Sequence, residues 1–255
     1  MKIALIQSPL VWEKPAANRN YFEEKINAIK EQVDLIVLPE MFSTGFTMNP
    51  EDVFETMQGE TISWLQSIAK TKNSAITGSL VIKENHNYYN RLLFIFPSGE
   101  TQYYDKRHLF TLAGEDKIYT TGKQKLIVEY KGWKICPLIC YDLRFPVFAR
   151  NVEEYDLLLY VANWPETRIN AWDSLLKARA IENMSYVIGV NRIGIDNNRL
   201  EYNGHSQSID FLGNYLIEPK ENEEVYITTL HIEKLLESRE KFGFLNDRDS
   251  FKVLD

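Results

Sequence analysis

Three stretches that read as strands each run into a residue able to do chemistry. Leu35-Ile-Val-Leu-Pro39 ends on Glu40, Thr101-Gln-Tyr-Tyr-Asp105 on Lys106, and Lys134-Ile-Cys-Pro-Leu-Ile139 on Cys140. In layered α/β folds ligands collect outside the carboxyl ends of strands, so the pattern has a geometric basis. A carboxylate, an amine and a thiol meeting there make a nucleophilic site. A thiol has an ordinary pKa of about 8.5 and is mostly protonated at neutral pH. A neighbouring carboxylate can take its proton, and an ammonium can stabilise negative charge developing on sulfur or on a substrate oxygen. Taken singly, each residue also has an ordinary role: a solvated strand-end acid, a surface lysine, an inert core cysteine.

The elements that must position these residues alternate along the chain. Lys2 to Gln7 is an apolar strand, Ala17 to Gln32 carries apolar residues at helical spacing, and Asp34 to Leu38 is a short buried strand. This strand–helix–strand opening predicts a layered α/β fold. A helix over Thr61 to Lys72 precedes strands at Ala75 to Lys83 and Tyr88 to Phe96, joined as a hairpin, and a third at Glu100 to Asp105. Strands at Leu126 to Tyr130 and Trp133 to Ile139 follow, then a short helix at Phe145 to Asn151 and a buried strand at Asp156 to Ala162. The longest helical pattern, Thr167 to Met184, leads into a strand at Ser185 to Asn191. Gly204 to Leu230 reads as strands with turns, Ile232 to Arg239 as a short helix, and a polar tail closes the chain from about residue 240.

Composition narrows the classes. The 255 residues, 44% of them hydrophobic, can bury one large core, and no Pro/Gly/Ser-rich linker divides them, so a single domain is expected. A formal net charge of -7 disfavours nucleic acid as a partner. No run approaches a membrane span, and the N-terminal apolar run is too short for a signal peptide. The two cysteines, Cys136 and Cys140, would lie about 13 Å apart along one strand. That is beyond the roughly 7 Å a disulfide spans. Two unbridged thiols fit a reducing cytoplasm. The four histidines, His86, His108, His205 and His231, show no metal-ligand spacing with them, so no metal is expected. His108, two residues past Lys106, and His205 compete with Glu40 for the role of base. A Cys–His pair would make this a protease or acyltransferase.

The motifs around the three residues resemble those of the nitrilase superfamily, the carbon–nitrogen hydrolases. They are Leu38-Pro-Glu-Met-Phe42, Asp105-Lys-Arg-His-Leu-Phe110 and Ile139-Cys-Tyr-Asp-Leu-Arg-Phe-Pro146. Tyr160-Val-Ala-Asn-Trp-Pro165, Ala178-Arg-Ala-Ile-Glu-Asn183 and Gly189-Val-Asn-Arg-Ile-Gly194 support them. The similarity runs from Ile3 to about Leu230, and Met41-Phe-Ser-Thr-Gly-Phe46 is most similar to the ω-amidase branch. The resemblance implies a four-layer α-β-β-α sandwich, with Glu40 as general base, Lys106 as transition-state stabiliser and Cys140 as nucleophile. The backbone N–H of Tyr141 would complete an oxyanion hole, and Glu115 best matches a second glutamate. It implies hydrolysis of a small ω-amide of a 2-oxo acid such as 2-oxoglutaramate through a thioester, with no cofactor. Nitriles, N-carbamoyl amines and other aliphatic amides remain alternative substrates, and a non-catalytic binder a remote one. Members commonly form homodimers. An ω-amido acid carries a carboxylate, and Arg144 is the candidate to grip it, an ion pair with Asp142 or Glu40 being the alternative. Trp164 is expected to line the pocket, and Arg179 and Glu182 to pair as structural support.

Overall fold

Alternation along the first strand, β1 (Lys2–Gln7), sets the layering. Successive side chains point to opposite faces of a strand. Ile3 and Leu5 enter a core shared with the second half of the chain, while Ala4 and Ile6 face a core made with helices. A strand apolar on both faces belongs to a sheet covered on both sides.

The computed structural model describes residues 1–253. After β1 come α1 (Pro15–Ala28), β2 (Leu35–Val37), α2 (Glu60–Lys72), β3 (Ala75–Glu84), β4 (Asn87–Ile95) and β5 (Thr101–Asp105). The chain continues with β6 (Val128–Tyr130), β7 (Trp133–Ile139), α3 (Pro146–Ala149), β8 (Leu157–Ala162), α4 (Ile169–Asn183) and β9 (Tyr186–Asn191). It ends with β10 (Ile193–Ile195), β11 (Glu201–Asn203), β12 (Gln207–Ile209), β13 (Tyr215–Ile217), β14 (Glu224–Thr229) and α5 (Ile232–Phe242).

One 6-stranded sheet has the order β14-β1-β2-β3-β4-β5, and a second the order β13-β12-β9-β8-β7-β6. Their inner faces meet in one core, where Leu35, Val37, Leu92 and Phe94 pack with Ile135, Leu138, Leu159 and Ile188. Phe22 and Ile26 of α1 and Ile62 and Leu65 of α2 cover the outside of the first sheet. Trp172, Leu176 and Ala180 of α4 cover the second. A Cβ on Gly189 would lie 2.6 Å from Trp172 and 2.5 Å from Leu176, so the bare backbone of β9 lets α4 sit close. The expected four-layer sandwich is the observed one.

Topology explains why the three strand ends converge. Strands β1, β2 and β3 are parallel, and β4 reverses, so antiparallel β5 again runs in the direction of β2. Glu40 and Lys106 therefore leave the first sheet at the same edge. In the second sheet β7, β8 and β9 are parallel, which puts the residues after Ile139 and after Ala162 at one edge.

Several boundaries differ from expectation. Helix α1 starts at Pro15, not Ala17, because a first helical position needs no N–H donor. It stops at Ala28 because Ile29 turns extended (φ -68, ψ 113). Helix α3 is only Pro146–Ala149, since Asn151 leaves it to donate its N–H to Asn183 Oδ1 at 2.9 Å. Helix α5 runs past Arg239 to Phe242, with Arg239 tied to Asp156 at 2.9 Å and to the Met184 carbonyl at 2.8 Å. Residues 254 and 255 of the expected tail lie outside the described residues. The hairpin β10–β11 was not anticipated. Its turn is an Asx motif in which Asp196 Oδ1 accepts the N–H groups of Asn198 (2.8 Å) and Leu200 (2.9 Å).

Candidate active site

Cys140 stands where β7 passes into a 3₁₀ turn, Cys140–Arg144, and its backbone is left-handed at φ 43. That conformation is uncommon for a residue with a side chain and must be held by its surroundings. Asp142 does much of the holding. Its carboxylate accepts the Ile139 N–H at 2.9 Å, the Tyr104 hydroxyl at 2.8 Å and the His108 N–H at 3.0 Å. Arg179 donates to the Leu143 carbonyl at 2.6 Å and pairs with Glu182 at 2.9 Å, so this pair on α4 fastens the same turn.

Glu40 is fully buried and its carboxylate is shared among three donors. Oε1 accepts from Lys106 Nζ at 2.9 Å and from Asn90 Nδ2 at 2.8 Å, and Oε2 accepts the Asn163 N–H at 2.8 Å. Asn163 also donates from Nδ2 to the Glu40 carbonyl at 2.6 Å, stitching the ends of β2 and β8 together across the sheets. Glu115 closes the cluster: its oxygens lie 3.0 and 2.9 Å from Lys106 Nζ, and Oε2 accepts the Phe110 N–H at 2.6 Å. One ammonium is thus shared by two buried carboxylates.

Electrostatics follow from this burial. For Lys106, burial opposes the charge, but the charges of Glu115 and Glu40 outweigh it and hold the ammonium well above its ordinary pKa. Burial, reinforced by the charge of Glu40, pushes the Glu115 carboxyl up against the pull of Lys106. Burial and then the charge of the Glu40 carboxylate push Cys140 up; Lys106 pulls the other way. The resting sulfur is held as a thiol, and it donates to the Asn163 carbonyl at 3.9 Å.

A cavity of about 730 Å³ opens onto this cluster. Lys106, Cys140, Tyr141 and Asn163 reach it, with Phe46, Phe110 and Trp164 as apolar walls. Arg144 lies at the cavity, its guanidinium carbon 4.9 Å from the Trp164 ring centre, and among the described residues it pairs with neither Asp142 nor Glu40. Trp164 is buried and donates its indole N–H to the Arg168 carbonyl at 2.8 Å.

The seven residues expected to form the site gather at one place: Glu40, Lys106, Glu115, Cys140, Tyr141, Arg144 and Trp164. His108 does not compete with Glu40, because its Nδ1 lies 2.8 Å from Asp142 and its ring stacks on Phe145 at 3.7 Å. His205 is bound to Asp173 at 2.8 Å. Sequence reasoning missed Asn90, whose signal was a lone amide inside the apolar strand Tyr88 to Phe96. It missed Asn163, although that residue sits inside a quoted motif. It also missed the β10–β11 hairpin, which brings Asp196, Leu200 and Tyr202 to the cavity. Among the described residues, no group of His, Cys, Asp and Glu is placed to hold a metal ion. No helix there is long and apolar enough to cross a membrane.

A model of the carbon–nitrogen hydrolase family matches residues 2–240. The chain belongs to the carbon–nitrogen hydrolases. This hydrolase is 43% identical over 255 residues to an omega-amidase, YafV, of Yersinia enterocolitica, covering 100% of this chain and 99% of the relative. It is 32% identical to the 2-oxoglutaramate amidase of Bacillus subtilis (strain 168), with 96% of each chain covered. Its structure is similar to that of a CN-hydrolase superfamily protein from Xanthomonas campestris with an arsenic adduct in the active site. The TM-score is 0.97, with 46% identity and 99% and 98% of the two chains covered.

Proposed function

We propose that this carbon–nitrogen hydrolase cleaves the terminal amide of a small ω-amido 2-oxo acid, such as 2-oxoglutaramate, to the carboxylate and ammonia. The observation that carries the chemistry is a cavity lined by both the Cys140 thiol and the Lys106 ammonium, with the ammonium bonded to the buried Glu40 carboxylate at 2.9 Å. Full-length similarity to an omega-amidase and to a 2-oxoglutaramate amidase supports the substrate class.

Glu40 takes the Cys140 proton as sulfur attacks the amide carbon. Generating the thiolate only during attack suits a thiol raised by burial and by its own base. Negative charge moves to the substrate oxygen, which Lys106 Nζ and the Tyr141 N–H stabilise. Tyr141 lies in the first turn of a 3₁₀ segment, where backbone N–H groups have no partner within the turn. Lys106 spends one N–H on each carboxylate, which leaves its third for the oxyanion. Glu40, now protonated, hands the proton to the departing nitrogen, so ammonia leaves rather than an amide anion. Water, deprotonated by Glu40, then attacks the thioester; the carboxylic acid departs and the sulfur regains its proton. Glu115 acts through Lys106, holding the ammonium between the two carboxylates.

Arg144 grips the substrate carboxylate with its fork of donors, and Trp164 carries that guanidinium on its face. The same reading places the enzyme in the cytoplasm as a single domain working as a homodimer. Val147, Val152 and Ile181, exposed apolar residues in and beside α3 and on α4, support the homodimer; sedimentation at micromolar concentration tests it.

The deciding experiment is an ammonia-release screen across ω-amides, nitriles and N-carbamoyl amines, with Cys140→Ala as the blank. 2-Oxoglutaramate and 2-oxosuccinamate should be the best substrates, and intact-mass spectrometry should trap an acyl adduct on Cys140. A nitrile or carbamoyl compound turning over faster would replace the substrate class while leaving the thiol chemistry standing.

A further inference from the structure

The cavity wall carries a second guanidinium that lies outside every motif of the sequence. Arg168 ends the 3₁₀ turn Glu166–Arg168 and holds its guanidinium carbon 5.1 Å from the Phe110 ring centre. Arg144 is displayed in the same way on Trp164. The Trp164 indole also donates to the Arg168 carbonyl at 2.8 Å, so one aromatic side chain sets the position of both arginines. Among the described residues neither guanidinium makes an ion pair or a hydrogen bond.

The other charges of the cavity are engaged. Lys106 is bound to Glu40 and Glu115. Asp196 is saturated by the Asn198 and Leu200 N–H groups and by the Tyr202 hydroxyl at 3.0 Å. Glu13 accepts a hydrogen bond from Thr47. Stacking on a ring holds a guanidinium in place and leaves its in-plane N–H donors free. Two such groups on one wall suit a ligand end that offers several coplanar acceptors and no donor.

We propose that Arg168 is a second substrate-recognising residue which, with Arg144, reads the 2-oxo-carboxylate end and selects 2-oxo acid amides over 2-amino acid amides. This rests on the function proposed above. A 2-oxo acid presents two carboxylate oxygens and a ketone oxygen, all acceptors, to donors that only donate. In an amino acid the ketone is replaced by an ammonium, which brings donors and like charge against the guanidinium pair. Discrimination comes from that repulsion as much as from the attraction.

The test measures kcat and KM for 2-oxoglutaramate, for glutaramate (the carboxylate without the ketone) and for L-glutamine. The proteins are the unmodified enzyme, Arg168→Gln and Arg168→Lys. Calorimetry adds the binding of 2-oxoglutarate to Cys140→Ala with and without Arg168→Gln. Arg168→Gln should lower kcat/KM for 2-oxoglutaramate by about tenfold or more, chiefly through KM, and narrow the preference over L-glutamine by a similar factor. Arg168→Lys should recover part of the loss, since it keeps the charge without the fork. The affinity of 2-oxoglutarate should fall by about tenfold as well. Equal losses on all three substrates would mark Arg168 as merely structural and overturn the proposal, as would unchanged 2-oxoglutarate binding. If the unmodified enzyme releases no ammonia from 2-oxoglutaramate, the proposed function fails on its own. The calorimetric arm then still decides the role of Arg168.

Discussion

The floor and the wall of the cavity are built on opposite electrostatic plans. On the floor Glu40, Lys106 and Glu115 are buried and bonded to one another, and every charge has a partner within hydrogen-bond distance. On the wall Arg144 is exposed and Arg168 half-buried, each resting on an aromatic face with no acid attached. Buried charges must be paired, because an isolated one costs several kcal/mol of desolvation. Wetted charges can stay open and wait for a ligand. On the proposed function, the floor serves folding as well as chemistry, and the wall serves recognition with little share in stability.

The largest expected effect is on the floor. Cys140→Ala should lower ammonia release by about 10⁴-fold or more and abolish the acyl adduct, because no other group supplies a nucleophile. A variant that retained activity within tenfold would remove the thiol from the mechanism.

Stability should separate the two regions next. Lys106→Met leaves two buried carboxylates facing each other and should cost about 3–5 kcal/mol in urea unfolding. Arg144→Gln should stay within about 0.5 kcal/mol. Similar losses in both would mean that the wall is structural too.

Asp142→Asn tests the support beneath the floor. It replaces a carboxylate that accepts from Ile139, Tyr104 and His108 with an amide that has one acceptor oxygen fewer. A loss of about 1–3 kcal/mol is expected, with kcat falling more than KM rises, since the left-handed Cys140 loses its anchor. Rescue of stability without rescue of kcat, in a second-site variant, would show that geometry and stability are separable there.

The smallest effect is a shift in thiol titration. Burial and Glu40 both raise the Cys140 pKa, while Lys106 lowers it. Glu40→Gln removes one raising influence and leaves the ammonium, so the thiolate becomes easier to form. Iodoacetamide alkylation of Cys140 should then rise at lower pH in Glu40→Gln than in the unmodified enzyme, even as hydrolysis is lost. A shift to higher pH would mean that Glu40 does not face the thiol as a carboxylate.

Much of the floor was legible in the sequence because strand ends deliver side chains predictably. A run such as Leu35-Ile-Val-Leu is buried wherever it pairs, and the residue after its terminal proline must emerge at the sheet edge. Cys140 and Cys136 separate on the same ground: one emerges at the end of β7, and the other stays inside the strand. Asn90 was harder to see, because a single amide within an apolar strand shows its purpose only when Glu40 and Glu115 arrive beside it from positions 50 and 25 residues away. The β10–β11 hairpin was illegible for a different reason. Its strands are three residues each, too short for any period to register, and an Asx turn rather than an apolar pattern holds it.

By itself the sequence determined the layered α/β class, the motifs that mark a carbon–nitrogen hydrolase, and that a thiol, an amine and a carboxylate stand at strand ends. These depend on local period and on residue type, which the chain carries one position at a time. Only the tertiary structure decided that Lys106 is shared between two acids, that Asp142 and not solvent fixes the Cys140 turn, and that His108 is occupied. It also decided that Arg168 joins Arg144 on the wall. Each of these depends on groups brought together by the direction of β5 and by the packing of one sheet on the other, and partners set by packing leave no period in the sequence.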